Sequence, residues 1–219
     1  MLPNTQLYVI SLAHRSDRRE SFTDALTSSE NNLLAYQWLD AIYDVDFGGL
    51  GCAKSHAQAL LTFISSSAAD FVCILEDDFR FRLGNLELTR ALKETVEVVG
   101  KWDVLLLAGY EVKGIPMAQI SNRYTIYRVL ESQTASGYIT SRRYAVKLLE
   151  LYCNSIAMMT ELRNISPRAL VYSLFAIDQV WKHLQKFDHW FCLNPMVGEQ
   201  YPSFSDIEQR QVDYRAGSA

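Results

Sequence analysis

"FVCILEDDFRF", residues 71–81, joins five apolar residues to three consecutive carboxylates, Glu76, Asp77 and Asp78. An apolar run of that length reads as a central strand covered on both faces. Side chains of an extended chain alternate, so Glu76 and Asp78 are expected on one side and Asp77 on the other. Two unit charges ~4 Å apart repel by roughly 4 kcal/mol at an effective dielectric near 20. Three acids in a row therefore call for water, protons or a cation. In open α/β sheets ligands bind beyond the carboxyl ends of the strands, and this cluster stands at such an end. Oxygen ligands suit Mg2+, Mn2+ or Ca2+. The plain alternative is a solvated loop.

Working outward, apolar strand-like runs alternate with amphipathic segments. Residues 7–12 and 103–107 read as buried strands, and 35–42 as a further strand. Helices are expected over 17–29, through 52–67 with apolar residues at 53, 57, 60, 61 and 64, and over 86–99. "FGGLG", 47–51, is a turn signal. Beyond 110 the pattern changes to shorter, antiparallel-looking strands. A helix then follows from 141 to 153 with Ser141 as N-cap, and a last short helix starts near Asp178. The expectation is one α/β domain over 1–219, a mixed, mostly parallel sheet flanked by helices.

Composition is that of an ordinary globule: 219 residues, 49% hydrophobic, 21% charged, net charge −4. No basic stretch supports nucleic-acid binding. Cys52, Cys73, Cys153 and Cys192 form no CxxC pair, so their spacing gives little support to a zinc site or a disulfide framework. With no signal-like start and no membrane-length apolar run, the expected compartment is the cytoplasm. Peripheral membrane contact stays open.

Several stretches together resemble glycosyltransferase family 25, the lipooligosaccharide and collagen galactosyltransferases. They are "YVISLAHRSDRRESF", "GGLGCAKSHAQAL", "CILEDDFRF", "WDVLLLAG", "TASGYITSRRYAVKLL", "AIDQVW" and "PSFSDIE". They occur in the family's order and cover most of the chain. "GLGCAKSH" followed about twenty residues later by "LEDD" is the most specific part. The resemblance implies a GT-A fold, a UDP-sugar donor, Mn2+ or Mg2+, and transfer with inversion. The sugar it implies is galactose or a related hexose. The acceptor it implies is a glycan, glycolipid or protein, as in lipopolysaccharide biosynthesis.

That resemblance assigns roles. Glu76 and Asp78 are the expected metal ligands, with Asp77 reaching the ribose or the sugar. Ser11 stands where the family usually has Asn, and Arg15, Arg18 and Arg19 follow the first strand, where GT-A proteins begin the nucleotide site; the alternative for these arginines is a solvated basic turn. Ser55 and His56 follow the glycine turn early in a helix and could line the donor site. His56 reads equally as a residue packed under it. Asp206, in "SFSDIE", matches the family's C-terminal "SDI" as a further metal or nucleotide contact; it also reads as a turn-forming Asp. Asp178 is the expected general base or acceptor contact, the alternative being a helix N-cap. Trp181, three residues on, excludes a capping box. Trp181, Trp190 and Phe191 could stack on an acceptor sugar or belong to the core.

Two other functions compete. A metal-dependent hydrolase needs more His or Asp at defined spacing than this chain offers. A catalytically inactive GT-A fold, binding a sugar nucleotide or a partner, is the second.

Overall fold

The computed structural model describes residues 1–28, 34–205 and 210–213. In chain order the elements are β1 (Thr5–Ser11), α1 (Ser16–Ser28), β2 (Gln37–Asp40), α2 (Gly48–Ser66), β3 (Phe71–Glu76), β4 (Phe79–Phe81), α3 (Asn85–Val99), β5 (Val104–Leu106), β6 (Tyr110–Ile120), β7 (Tyr124–Gln133), β8 (Gly137–Ser141), α4 (Arg142–Leu162), α5 (Arg168–Phe175), α6 (Ile177–Phe187), β9 (Trp190–Asn194), β10 (Gly198–Gln200), β11 (Ser203–Ser205) and β12 (Arg210–Val212).

Eight strands form one mixed sheet in the order β2-β1-β3-β8-β5-β9-β7-β6. Its β1–β2, β1–β3 and β5–β9 pairings are parallel, and only β7 and β8 run against the other six strands. The α/β class with a mixed, helix-flanked sheet is thus what the chain adopts.

The sheet divides the apolar interior into two layers, and side chains sort between them with period two. Tyr8, Ile10, Val72, Ile74, Val104, Leu106, Tyr138, Trp190 and Cys192 pack on the side of α2, α4 and α6. Leu7, Val9, Cys73, Leu75, Leu105, Ile139, Phe191 and Leu193 pack on the side of α1 and α3. Apolar residues on both faces explain the unbroken runs of β3 and β5. Ser141 caps α4 as expected, its hydroxyl accepting from the Tyr144 N–H.

Several expectations change. Residues 48–51 open α2 instead of forming a separate turn. The glycines serve close approach: a Cβ at Gly49 would lie 2.7 Å from the Tyr172 ring, and one at Gly51 would lie 2.5 Å from the Ile42 carbonyl oxygen. Residues 110–120 form β6, a long strand hairpinned to β7 that the sequence did not mark individually. Trp181 and Trp190 are fully buried and stack edge to face, with ring centroids 5.2 Å apart. With Phe191 they are core, and the sugar-stacking role is withdrawn. Among the described residues no helix is long and apolar enough to cross a membrane.

Candidate active site

The three acids do not divide as simple alternation predicts. Glu76 ends β3 on the α2 side, in step with Val72 and Ile74. There its Oε1 lies 3.2 Å from His56 Nε2 and 3.6 Å from Cys52 Sγ. Asp77 points the other way, toward α1, where its Oδ1 lies 3.0 Å from Arg18 Nε. Asp78, expected beside Glu76, joins Asp77 instead: Arg18 Nη2 donates to Asp78 Oδ2 at 2.6 Å. The reason is local. Residues 77 and 78 form a turn between β3 and β4, so strand alternation stops at Asp77.

Neighbouring elements complete the site. β1 lies beside β3 in parallel register, Ile10 opposite Glu76, so α1 begins over the same sheet edge and delivers Arg18. β10 pairs with β4, Gln200 opposite Phe79. Gln200 Nε2 then donates to Asp78 Oδ2 at 3.2 Å, and the Tyr201 N–H donates to the Asp78 carbonyl at 2.7 Å. The other amide atom, Gln200 Oε1, is buried without a hydrogen-bond partner among the described residues.

The charges follow from this packing. Burial pushes the Asp78 carboxyl up to about 6, with Glu76 and Asp77 adding to the rise and Arg18 opposing it. Burial also raises Asp77, countered by Arg18 and Ser11. For Glu76 burial pulls upward, but the hydrogen bond and charge of His56, with Arg18 and Cys52, hold the carboxyl below its ordinary range. The Cys52 thiol is pushed well up by burial and by the acids Glu76 and Asp178.

Two cavities meet here. One, of about 120 Å³, is lined by Ser11, Arg18, Ser55, His56 and all three acids. The other, of about 420 Å³, is lined by Tyr110, Gln133, Thr134, Tyr172, Asp178 and Gln179. Cys52, Glu76 and Gln200 belong to both walls. A third hollow of about 310 Å³ lies behind Asp77 and Asp78, between Arg15, Arg18 and Arg80.

Asp178 is not a cap. The N-cap of α6 is Ala176, and Asp178 sits inside the first turn. Its Oδ2 accepts from the Thr134 N–H at 3.1 Å. Thr134 has φ +64, a left-handed conformation rare for a β-branched residue and met mainly where surrounding structure enforces it. Burial raises the Asp178 carboxyl, against the pull of that N–H, Lys182 and Gln179.

The remaining expected residues separate. Ser11 stays beside Asp77. Ser55 is engaged within the fold, donating to the Gly51 carbonyl at 2.7 Å and accepting from the Ile42 N–H at 2.8 Å. His56 is fully buried, its Nδ1 3.2 Å from the Tyr138 hydroxyl. Arg15 forms a two-pronged pair with Asp17 and lines the third hollow. Arg19 turns away to the Ser11 carbonyl, Asp40 and the face of Trp38. Asp206 lies outside the described residues. Cys52 and Gln200 were not singled out from the sequence, and Arg18 was grouped with Arg15 and Arg19 without distinction. Arg18 is the second of the three arginines in "RSDRR", and only the helical phase of α1 distinguishes it from its neighbours.

By donor type the acids fit a hard divalent cation: Asp77 and Asp78 share Arg18, with Arg15 and Arg80 lining the hollow behind them. Asp78 and Asp77 are the residues that could hold one.

Neither protein-family models nor curated proteins give a match to this chain. Solved structures do. A197 from STIV is 13% identical, with a TM-score of 0.51 over 95% of this chain and 93% of that one. It shows a shared fold. Two looser likenesses each have a TM-score of 0.43. The mannose-1-phosphate geranyltransferase from Thermus thermophilus is 12% identical over 93% of this chain and 76% of that one. A glycosyltransferase involved in the glycosylation of the major capsid of PBCV-1 is 7% identical over 79% of this chain and 75% of that one.

Proposed function

We propose that this chain is an inverting glycosyltransferase that moves a hexose from a nucleotide-sugar donor, UDP-linked by the family resemblance, to a hydroxyl of a glycan, glycolipid or protein. The observation that carries the reading is the junction of two unlike cavities at Glu76 and Gln200. One holds an acid cluster with its guanidinium, and the other holds Asp178 away from that cluster.

The donor's diphosphate belongs beside Asp77, Asp78 and Arg18. Arg18 supplies a planar, permanently charged fork for phosphate oxygens. Asp78 and Asp77 would hold a divalent ion there, which would supply positive charge against the leaving diphosphate. Gln200, tied to Asp78 through its amide nitrogen, keeps its buried oxygen ready to accept from a donor hydroxyl. A buried acceptor left unpaired costs stability, so a ligand hydroxyl there gains what the free protein lacks.

The acceptor belongs in the larger cavity. Tyr110 and Tyr172 offer rings, and Gln133, Gln179 and Ser173 offer hydrogen bonds. Asp178, raised by burial and oriented by the Thr134 N–H, is the base that takes the acceptor's proton. An acid with a raised pKa is a better proton acceptor near neutrality than a freely solvated one.

The test is a donor screen with thermal melting. UDP-glucose, UDP-galactose, UDP-N-acetylglucosamine and GDP-sugars are each presented with Mn2+ or Mg2+. Nucleotide and ion together are expected to raise the melting temperature more than either alone. Identical melting curves in every combination would sink the donor-site assignment.

A further inference from the structure

We propose that Cys52, His56 and Glu76 form a binding site for a zinc-type divalent ion, separate in chemistry from the hard-cation site at Asp78. Cys52 and His56 lie four residues apart in α2 and so share one helix face. Glu76 comes to the same face from the end of β3. One ligand atom from each of the three lies within 4.8 Å of the others. Sulfur, imidazole nitrogen and one carboxylate oxygen form a borderline donor set that favours zinc over magnesium or manganese.

The distances suit the ion. Zinc bonds of about 2.0 Å to nitrogen and oxygen and about 2.3 Å to sulfur, at tetrahedral angles, put N and O about 3.3 Å apart and S and O about 3.5 Å apart. Observed are 3.2 Å from His56 Nε2 to Glu76 Oε1 and 3.6 Å from Cys52 Sγ to the same oxygen. The imidazole is already oriented. Its other nitrogen meets the Tyr138 hydroxyl at 3.2 Å, the outer contact that metal-binding histidines need. Three protein ligands leave a fourth position for water or a ligand oxygen, the pattern of reactive zinc sites and not of structural ones. Cys52 and Glu76 line both cavities, so that position is reached from their junction.

The readout needs neither donor nor acceptor. The full chain is stripped with a chelator and titrated with Co2+. One equivalent is expected to produce an intense thiolate-to-cobalt charge-transfer band in the near ultraviolet. Zn2+ should abolish the band by displacement, while excess Mg2+ should not. Cys52→Ser is expected to lose the band, and Cys153→Ser, at an exposed cysteine elsewhere, to keep it. Tyr138→Phe should keep the band while lowering Zn2+ affinity by about 10- to 100-fold. No band with Co2+, or a band that survives in Cys52→Ser, overturns the proposal and leaves the cluster as hydrogen bonds alone. Because turnover is not measured, the transferase reading can fail without this one failing, and the reverse.

Discussion

Asp78 and Asp178 are both acids that the surrounding protein pushes above their ordinary range, yet they are held in opposite ways. Asp78 sits in a crowd, with two acids beside it, Arg18 at 2.6 Å and Gln200 at 3.2 Å. Asp178 sits apart from other acids' direct contact, oriented by one backbone N–H at the wall of a larger cavity. A crowd of acids attracts cations and, through them, anionic ligands. A lone acid beside space for a hydroxyl is suited to accept a proton. The contrast assigns leaving-group chemistry to one side of the junction and acceptor chemistry to the other.

Substitutions can break that contrast, beginning with the largest effect. Asp78→Asn is expected to remove transfer outright and to weaken UDP–Mn2+ binding in the same variant. Near-normal turnover would show that the acid crowd does not serve the donor. Asp178→Asn comes next. Losing a general base costs ~10²–10⁴-fold in the chemical step, while calorimetry should find UDP–Mn2+ affinity unchanged. If nucleotide affinity fell with turnover, the division between the cavities would be wrong.

Arg18→Gln sharpens the comparison further. Hydrogen bonds to charged groups are worth about 1.5–3 kcal/mol, so UDP affinity should fall about 10- to 100-fold. Cation affinity measured without nucleotide should rise, because Asp77 and Asp78 lose their internal partner. A fall in both would mean that Arg18 only positions the acids.

The smallest effect is on stability. Folded, the Asp78 carboxyl keeps its proton to about pH 6; unfolded, it does so only to about 3.8. Between those values the folded state binds more protons, so this group lowers stability as pH rises. Asp78→Asn should therefore melt a few degrees higher than the parent chain near pH 7.5, with the gap closing toward pH 4. A variant that melts lower at neutral pH would show that the Arg18 pair outweighs the burial of charge.

Much of the scaffold could be read directly. Unbroken apolar runs marked β3 and β5, and period-four apolar spacing marked α2, because both patterns report burial that local geometry alone dictates. β6 was missed because its side chains alternate weakly: most are exposed or half-exposed along Tyr110–Ile120, and it depends on β7 for its place. The glycines at 48–51 read as a turn because glycine permits turns, whereas here they admit Tyr172 and the Ile42 carbonyl at close range.

The site divides along the same line. By itself the sequence determined that an acid cluster would close a buried strand. It also showed that Asp178 would open a late helix, with Ser55 and His56 early in another. Those are local facts, set by spacing along one element. Only the tertiary structure decided which acid meets which partner. Arg18 rather than Arg15 or Arg19 faces the acids because of the phase of α1 over β1 and β3. Glu76 goes to His56 while Asp78 leaves it, because the strand ends and the chain turns. Gln200 arrives through β10, more than a hundred residues along the chain from Asp78. Contacts between distant segments depend on how elements pack, and no local pattern in the chain encodes that phase.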